Sequence, residues 1–255
     1  MTVPSDLIAD CIPAATLVVM RENGSLSRPP ELLMVTRTGK MAFAAGAVVF
    51  PGGRVDPMDH EIALRDGRSD DGGKVTAIRE TLEESGVAVA LGVEEPERGL
   101  HYQQALLSGT SFEQLVKAEK LVIDYDALKP FTRWIPGIPQ PRRFDTIFYV
   151  AKAPPRTGEP CAQPGECMAA EWVGAAEQLG RIDAGQAHAI FPTKRNLERL
   201  AGFHSYAEAL EDISAHGAAL IMPEVREMNG QKFVTIPEGR GYPVTAEPIE
   251  TAFRS

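Results

Sequence analysis

One short acidic segment constrains this chain more than any other part of its sequence. Residues 79–87 read Arg-Glu-Thr-Leu-Glu-Glu-Ser-Gly-Val, so three carboxylates and an arginine fall within six positions. On a helix, Glu83 and Glu84 lie three and four residues after Glu80, and all three acids share one face. Gly86 suits the left-handed residue that ends a helix. The segment therefore predicts an acidic helix that stops at Gly86.

The opposite side of that helix is apolar. Val75, Ile78 and Leu82 recur at the helical period, which is typical of a face packed against a core. Asp70 or Asp71 could cap the start of the helix. We therefore expect the helix to begin after one of these aspartates and to bury its apolar side.

Two interpretations of the acidic face are open. It can be a solvated surface on which Arg79 pairs with Glu83, since surface ion pairs are common and weak. Alternatively, it can bind a divalent cation. Like charges at this spacing repel by roughly 0.2–0.5 kcal/mol per pair, and a cation held by oxygen ligands would turn that cost into a gain.

A strand and a glycine turn upstream favour the second interpretation. Residues 47–50 (Ala-Val-Val-Phe) are typical of a short buried strand, and Pro51-Gly52-Gly53 follows directly. A tight turn at this point brings backbone carbonyls close to the carboxylates. Hard Mg²⁺ or Mn²⁺ prefers oxygen ligands, which the three glutamates and the Gly52 carbonyl would offer.

Together, these segments resemble the signature of a known family, the Nudix box G-x(5)-E-x(7)-R-E-U-x-E-E-x-G-U, in which U is aliphatic. Residues 50–53 resemble its start, and residues 79–87 match its second half except at Thr81, where an aliphatic residue is usual. The interval between the two parts is longer than in the standard box by about a dozen residues. The candidates for the upstream acid of the box are Asp56, Asp59 and Glu61.

The resemblance implies a reaction and a role for each residue of the box. Nudix hydrolases cleave nucleoside diphosphates linked to another moiety, and they use magnesium or manganese. Glu83 and Glu84 correspond to metal ligands, Glu80 to a ligand or to the base that deprotonates the attacking water, and Arg79 to a residue that positions a box carboxylate. The candidate catalytic residues are thus Glu80, Glu84 and Arg79, and the candidate metal ligands are Gly52, Glu80, Glu83 and Glu84.

Further segments resemble the Nudix branch that includes the peroxisomal coenzyme A diphosphatases and carries a lengthened loop inside the box. These segments are Trp134, residues 141–149, Pro192-Thr193 and residues 239–243. The resemblance thus extends from about residue 13 to about residue 243. It admits coenzyme A or acyl-CoA as a substrate, beside other nucleoside diphosphate derivatives.

Three arginines are candidates for binding the phosphates of a substrate. Arg142 and Arg143 could hold a phosphate bidentately, or they could form an exposed basic turn beside prolines. Arg37 ends a predicted strand that leads toward the glycine turn. Trp134 and Phe144 could stack on a base, although core packing is favoured for both.

Other polar residues carry weaker signals. Glu166 and Glu171 lie where some Nudix enzymes supply a loop base or a further metal ligand, and structural roles are equally open. The five histidines show no metal-ligand spacing. No serine or cysteine lies in a G-x-S-x-G elbow, which argues against acyl-enzyme chemistry.

Charge and cysteine content exclude several classes of function. The formal net charge is −9 over 255 residues, which argues against broad binding of nucleic acid or of anionic membranes. The three cysteines include no C-x-x-C, so neither a disulfide framework nor a zinc site is predicted. The sequence contains no apolar run of membrane-spanning length and no signal-peptide pattern. We expect a cytoplasmic protein that binds a small nucleotide-type molecule, and homodimer formation is left open.

The order of the predicted elements indicates an α/β (α+β) fold with a mixed sheet between helices, as in the Nudix α/β/α sandwich. Strands are predicted at 14–20, 32–37, 48–50, 87–91, 145–151 and 171–173. Further helices are predicted at 193–201 and 205–215. Residues 228–231 (Met-Asn-Gly-Gln) predict a hairpin between strands at 220–222 and 233–236.

We expect one catalytic domain spanning residues 1–255. It would carry a helical insertion or lid at about 96–130, where Ser111 to Gln114 fits a capping box, and a C-terminal extension at about 190–255. The sequence favours a metal-dependent pyrophosphohydrolase. The alternatives are a specific coenzyme A or acyl-CoA diphosphatase and a non-catalytic Nudix-fold binding module, the latter because the upstream acid of the box is not evident.

Overall fold

A computed structural model describes residues 10–22, 24, 28–39, 44–137 and 142–252. The strands are β1 (Ile12–Arg21), β2 (Glu31–Arg37), β3 (Val48–Val49), β4 (Gly52–Arg54), β5 (Lys129–Trp134), β6 (Phe144–Lys152), β7 (Cys167–Gly174), β8 (Leu220–Ile221), β9 (Glu224–Met228), β10 (Gln231–Thr235) and β11 (Ala246–Pro248). The helices are α1 (Pro57–Arg65), α2 (Gly72–Ser85), α3 (Pro96–Leu107), α4 (Phe112–Ala118), α5 (Ala175–Asp183), α6 (Phe191–Leu200), α7 (Tyr206–His216) and α8 (Ile249–Ala252), with a 3₁₀ turn at Tyr125–Ala127.

Strand β1 is the centre of an eight-stranded mixed sheet. The strand order is β3-β2-β1-β6-β5-β8, with β7 also paired to β2 and β4 also paired to β1. β1 and β6 run parallel from the pair Ile12–Phe144 to the pair Met20–Lys152. β4 pairs antiparallel with the first half of β1, where Gly52 lies opposite Thr16. The glycine turn is therefore fixed to the middle of the sheet.

Alternate residues of β1 fill two separate cores. Ala15, Leu17 and Val19 pack with helices α1 to α4, whereas Val18 and Met20 pack with helices α5 to α8 and with the small sheet β9-β10-β11. This alternation is the period of a strand buried on both faces. The prediction of a mixed sheet sandwiched between helices is confirmed.

The acidic helix forms as predicted, over Gly72–Ser85. Val75, Ile78 and Leu82 are fully buried. Gly86 adopts φ 72°, and its N–H donates to the carbonyl of Leu82, which ends the helix. Asp71 occupies the N-cap position, but its side chain makes no capping hydrogen bond.

The strand predicted at 87–91 is wrong. Most of this segment is buried beneath helices α3 and α4, but its backbone pairs with no strand in the part of the chain that the structure describes. Ala90 and Gly92 adopt φ values of 57° and 66°, which bend the chain within the apolar run. The apolar residues therefore serve packing rather than extension of the sheet.

The hairpin prediction is confirmed at the turn and wrong in one strand. Asn229 and Gly230 have φ values of 52° and 78°, as a type I′ turn requires. The strand that enters the turn is β9, Glu224–Met228. The predicted strand at 220–222 instead forms β8, which pairs parallel with β5 in the large sheet.

The region predicted as a helical insertion contains α3, α4 and the 3₁₀ turn, and residue 129 already begins β5. The capping box is confirmed, since the Ser111 hydroxyl accepts from the Gln114 N–H and the Gln114 side chain accepts from the Ser111 N–H. Helix α1 carries Asp59 at the start of the lengthened box loop, and the sequence did not predict this helix because it buries only three of its residues. Within the described ranges, no helix has the length and apolarity needed to cross a membrane.

Candidate active site

Two of the three glutamates of α2, Glu80 and Glu84, lie directly against the glycine turn. The Glu84 side chain is only 2% exposed, and its Oε2 accepts the Gly52 N–H at 3.1 Å. A Cβ atom on Gly53 would lie 2.4 Å from Glu80 Oε1, so only glycine fits there without displacing that carboxylate. The turn and the acidic face therefore form one compact group of oxygen atoms.

Arg79 lies between the acids of α2 and those of α1. Its Nε and Nη2 donate to the two carboxylate oxygens of Asp59 at 3.0 and 2.9 Å. Its Nη1 donates to Glu80 Oε1 at 2.8 Å and to Glu83 Oε2 at 3.3 Å. Because the Arg79 side chain is 11% exposed, the interpretation of this face as a solvated surface does not hold.

The structure identifies Asp59 as the counterpart of the upstream acid. Asp59 is 1% exposed, and it also accepts the Thr76 hydroxyl at 2.8 Å and the Asp56 N–H at 3.1 Å. Sequence reasoning left this residue unresolved among three candidates. The signal was present, since five residues separate Gly53 from Asp59, as in the standard box. The additional residues of the loop lie between Asp59 and Arg79.

Burial disfavours the ionised form of these three carboxylates. It raises the pKa of Glu84 to about 8 and that of Glu83 to about 7, and it also raises the pKa of Glu80. The charge on Arg79 lowers the pKa of Glu80 and Glu83, but the neighbouring acids, including Glu166, oppose it. A divalent cation would offset this accumulated repulsion.

The donor set fits Mg²⁺ or Mn²⁺ in chemistry, because it consists of carboxylate oxygens beside a backbone turn. Glu80 and Glu83 are turned toward Arg79. Across the described part of the chain, no three acidic, histidine or cysteine side chains converge in a ready-made ligand cage. The assignment of Gly52, Glu80, Glu83 and Glu84 as metal ligands is therefore a proposal that rests on donor type and burial.

A cavity of about 480 Å³ opens beside the glycine turn. Its walls carry aromatic side chains from both the sheet and α6: Phe50, Trp134, Phe144, Phe148 and Phe191. Pro223, Val234 and Ala252 from the C-terminal region also line it. Its dimensions lie within the usual range for a small-molecule site.

Two of the three predicted phosphate-binding arginines line this cavity, namely Arg37 and Arg142. Arg37 Nη1 lies 3.8 Å from Glu84 Oε1, and its buried Nε has no hydrogen-bond partner among the described residues. Arg143 instead donates to the carbonyl of Pro136 at 3.3 Å. Pro141, which belongs to the same sequence motif, lies outside the described residues.

The remaining sequence candidates have distinct surroundings. Arg181 Nη1 donates to both carboxylate oxygens of Glu171 at 2.9 Å, which indicates a structural role. Glu166 is exposed, and its carbonyl accepts from the Thr38 N–H at 2.8 Å. Trp134 is 3% exposed and donates its indole N–H to the Tyr242 hydroxyl, so it belongs to the core while one surface lines the cavity.

These pKa shifts predict how the stability of the metal-free protein depends on pH. The folded pKa values of Glu83 and Glu84 exceed the unfolded value of 4.5, so the folded state binds more protons. Their contribution to the free energy of unfolding should therefore be fully present below about pH 4.5 and should fall by a few kcal/mol as the pH rises to about 8. Glu198, whose pKa burial raises to about 7, contributes in the same window.

Urea unfolding in EDTA at several pH values measures this dependence. Replacing Glu84 with glutamine should make the free energy of unfolding depend less steeply on pH, while the contribution of Glu198 remains. Saturating Mn²⁺ should reduce the same pH dependence in the unmodified protein. Stability that is constant or rises between pH 5 and pH 8 in EDTA would contradict the description of the acidic face.

Comparison with solved structures finds similarity to Nudix proteins, in one case at substantial sequence identity. A NUDIX hydrolase from Alicyclobacillus acidocaldarius is 33% identical, and the match covers 79% of this chain and 96% of that protein with a TM-score of 0.68. The NUDIX domain of Shewanella oneidensis NrtR complexed with ADP ribose is 12% identical over 77% of this chain and 96% of that domain, with a TM-score of 0.43. A C. elegans Ap4A hydrolase binary complex is 17% identical; the match covers 68% of this chain and 86% of that protein, with a TM-score of 0.38. Neither a family model nor a curated protein matches the sequence.

Proposed function

Because the chain belongs to the Nudix hydrolase family, we propose that it is a metal-dependent pyrophosphohydrolase that cleaves a nucleoside diphosphate linked to another moiety. One observation carries the proposal: Glu80 and Glu84 of α2 lie against the Gly52–Gly53 turn, which lines a large cavity, and Arg79 connects Glu83 to Glu80. An anhydride bridging two phosphates could lie at this mouth while the rest of the substrate occupies the cavity.

We assign each residue of the site a role from the resemblance to the family, together with its donor type and burial. Glu83, Glu84 and the Gly52 carbonyl would hold the cation, and Glu80 would complete the ligand set or accept the proton of the attacking water. A bound Mg²⁺ or Mn²⁺ neutralises phosphate oxygens and lowers the pKa of bound water. Arg79 is a positioning residue, because its hydrogen bonds fix the carboxylates of Glu80 and Glu83 relative to Asp59.

Arg37 and Arg142 are suited to bind the phosphates, because both reach the cavity beside the glycine turn. A guanidinium pairs well with phosphate oxygens. The unpartnered Nε of Arg37 supports this role, since a ligand oxygen could satisfy it. Arg143 has a weaker claim because its side chain already contacts a backbone carbonyl.

The alternative of a non-catalytic binding module rested on the missing upstream acid, and Asp59 now occupies that position. We propose a single catalytic domain in which the C-terminal extension closes part of the cavity. Specificity for coenzyme A rests on the resemblance alone. That the protein is cytoplasmic and that it can form a homodimer are predictions from the sequence.

A substrate panel tests the proposed function. We expect Mg²⁺- or Mn²⁺-dependent conversion of at least one of ADP-ribose, NADH, coenzyme A and dinucleoside polyphosphates into two phosphate-bearing products, with no conversion in EDTA. Chromatography of the products measures this directly. Equal turnover of all four would contradict specificity for coenzyme A, and no conversion with either metal would contradict the proposed function.

A further inference from the structure

The start of α6 is an uncapped helix terminus that faces the cavity. Ile190 occupies the N-cap position and supplies no side-chain hydrogen bond, and the first turn contains no acidic residue. The amides of Phe191 and Thr193 have no intrahelical acceptor, because the first turn of a helix lacks one. Residues 190–193 all line the cavity. The terminus thus presents free donors and the positive end of the helix dipole.

A second and independent observation at this terminus is the side chain of Thr193. Thr193 is 2% exposed, and it lines the cavity. Within the described ranges, its hydroxyl forms no hydrogen bond, in contrast to the hydroxyls of Thr76 and Thr81, which bond to Asp59 and to the Ala77 carbonyl. The hydroxyl is not among the fully buried polar atoms without a partner, so it remains accessible from the cavity. A ligand atom in the cavity could satisfy it.

The two cationic residues next to Thr193 are already committed elsewhere. Lys194 Nζ lies 2.9 Å from Glu247 Oε1, and Arg195 Nη2 lies 3.0 Å from Glu247 Oε2. Arg195 Nη2 also lies 2.6 Å from Glu198 Oε1, so two carboxylates face the two cations within the protein. Neither Lys194 nor Arg195 lines the cavity, whereas Thr193 and the other residues of the first turn do.

Backbone hydrogen bonds connect the segment that precedes this terminus to the strands that lead to Arg37. The Val48 N–H donates to the His188 carbonyl at 2.7 Å, which ties the segment before α6 to β3. β3 pairs with β2, and the Arg37 N–H at the end of β2 donates to the Ala47 carbonyl at 3.0 Å. Segments about 150 residues apart in sequence are thereby brought to the same part of the cavity, on the side of the glycine turn.

We propose that the first turn of α6, through the Thr193 hydroxyl and its neighbouring amides, binds a phosphoryl oxygen of the substrate. A helix N-terminus combined with a hydroxyl donor is well suited to an anionic oxygen. Arg37 neutralises part of the charge of the same diphosphate from the adjacent strand. This inference rests on the proposed function for the presence of a diphosphate, and it adds a recognition element outside the Nudix box.

Calorimetric binding of adenosine α,β-methylenediphosphate in Mg²⁺ tests the subsite without requiring turnover. Thr193→Val keeps the side-chain shape and removes the hydroxyl, so affinity should fall about tenfold, as expected for a hydrogen bond to a charged group. Thr193→Ser restores the hydroxyl and should bind within about threefold of the unmodified protein. The melting temperature of ligand-free Thr193→Val should be unchanged or higher, because the removed hydroxyl has no partner in the free protein.

Thr146→Val is the matched control, because Thr146 also lines the cavity but belongs to β6. Its affinity for the same probe should not change. Unaltered affinity in Thr193→Val, a lower melting temperature accompanying the loss, an equal loss in Thr146→Val, or no binding of the probe to the unmodified protein would each overturn the inference. Failure of the proposed function is seen separately, as absence of hydrolysis in the substrate panel.

Discussion

Replacing Glu84 with glutamine should lower metal-dependent turnover by roughly 10²–10⁴-fold, the scale of one essential catalytic group. Glu84 is the most deeply buried of the three glutamates, and its carboxylate faces both the Gly52 N–H and Arg37. Glutamine keeps the shape but removes the charge that a hard cation needs. Steady-state hydrolysis of the best panel substrate at saturating Mg²⁺ or Mn²⁺ measures the effect.

The same substitution should leave the fold intact. At pH 7 the metal-free protein holds Glu84 largely protonated, because burial raises its pKa to about 8. Glutamine resembles that protonated form and can still accept the Gly52 N–H. The melting temperature in EDTA should therefore be nearly unchanged at pH 6 and higher than that of the unmodified protein at pH 9.

Glu113→Gln, a substitution in the exposed pair with Arg65, is the control for a general effect of charge removal. It should leave turnover unchanged. If Glu84→Gln retains turnover, Glu84 is not a metal ligand. If it instead unfolds the protein in EDTA, its role is structural.

Replacing Asp59 with alanine should produce the largest loss of stability, about 3–5 kcal/mol, because it leaves the buried guanidinium of Arg79 without its bidentate partner. The Thr76 hydroxyl and the Asp56 N–H would lose an acceptor as well. For a chain of this length, we expect the melting temperature to fall by about 10 °C. Urea unfolding at pH 7 in EDTA measures the change in free energy.

An exposed ion pair supplies the control for Asp59. The Asp126 side chain is 76% exposed and pairs with Arg68 at 2.7 Å, so Asp126→Ala should cost less than about 1 kcal/mol. Thr76→Val should cost about 1 kcal/mol, because it removes one hydrogen bond to Asp59. A cost for Asp59→Ala no greater than that for Asp126→Ala would contradict the assignment of Asp59 as the anchor of Arg79.

The parts of the molecule that sequence could predict are those set by local patterns. The period of Val75, Ile78 and Leu82 fixes both the existence of α2 and its buried side, and Gly86 fixes its end. The Asn229-Gly230 pair likewise defines the hairpin turn, because both residues readily adopt the positive φ that the turn requires. In each case, the information lies within one or two helical turns or one hairpin.

The parts that sequence could not predict depend on contacts between distant segments. The hydrogen bond from the Val48 N–H to the His188 carbonyl positions the segment before α6. The position of Thr193 in the cavity wall depends on this contact between distant segments. The partner of Arg79 was identifiable in principle from the spacing of Asp59, but a loop of unusual length obscured it. The run at 87–91 has strand-like composition, yet the turn at Ala90 excludes it from the sheet.

Calorimetric titration of Mn²⁺ into the unmodified protein and into Glu84→Gln tests the central claim most directly, because it asks whether the buried glutamates of α2 bind a cation. The account predicts saturable uptake by the unmodified protein, accompanied by proton release near pH 7, since the protonated carboxylates must ionise to bind the ion. It predicts uptake at least tenfold weaker in Glu84→Gln. No saturable uptake, or equal affinity in the two proteins, would contradict it.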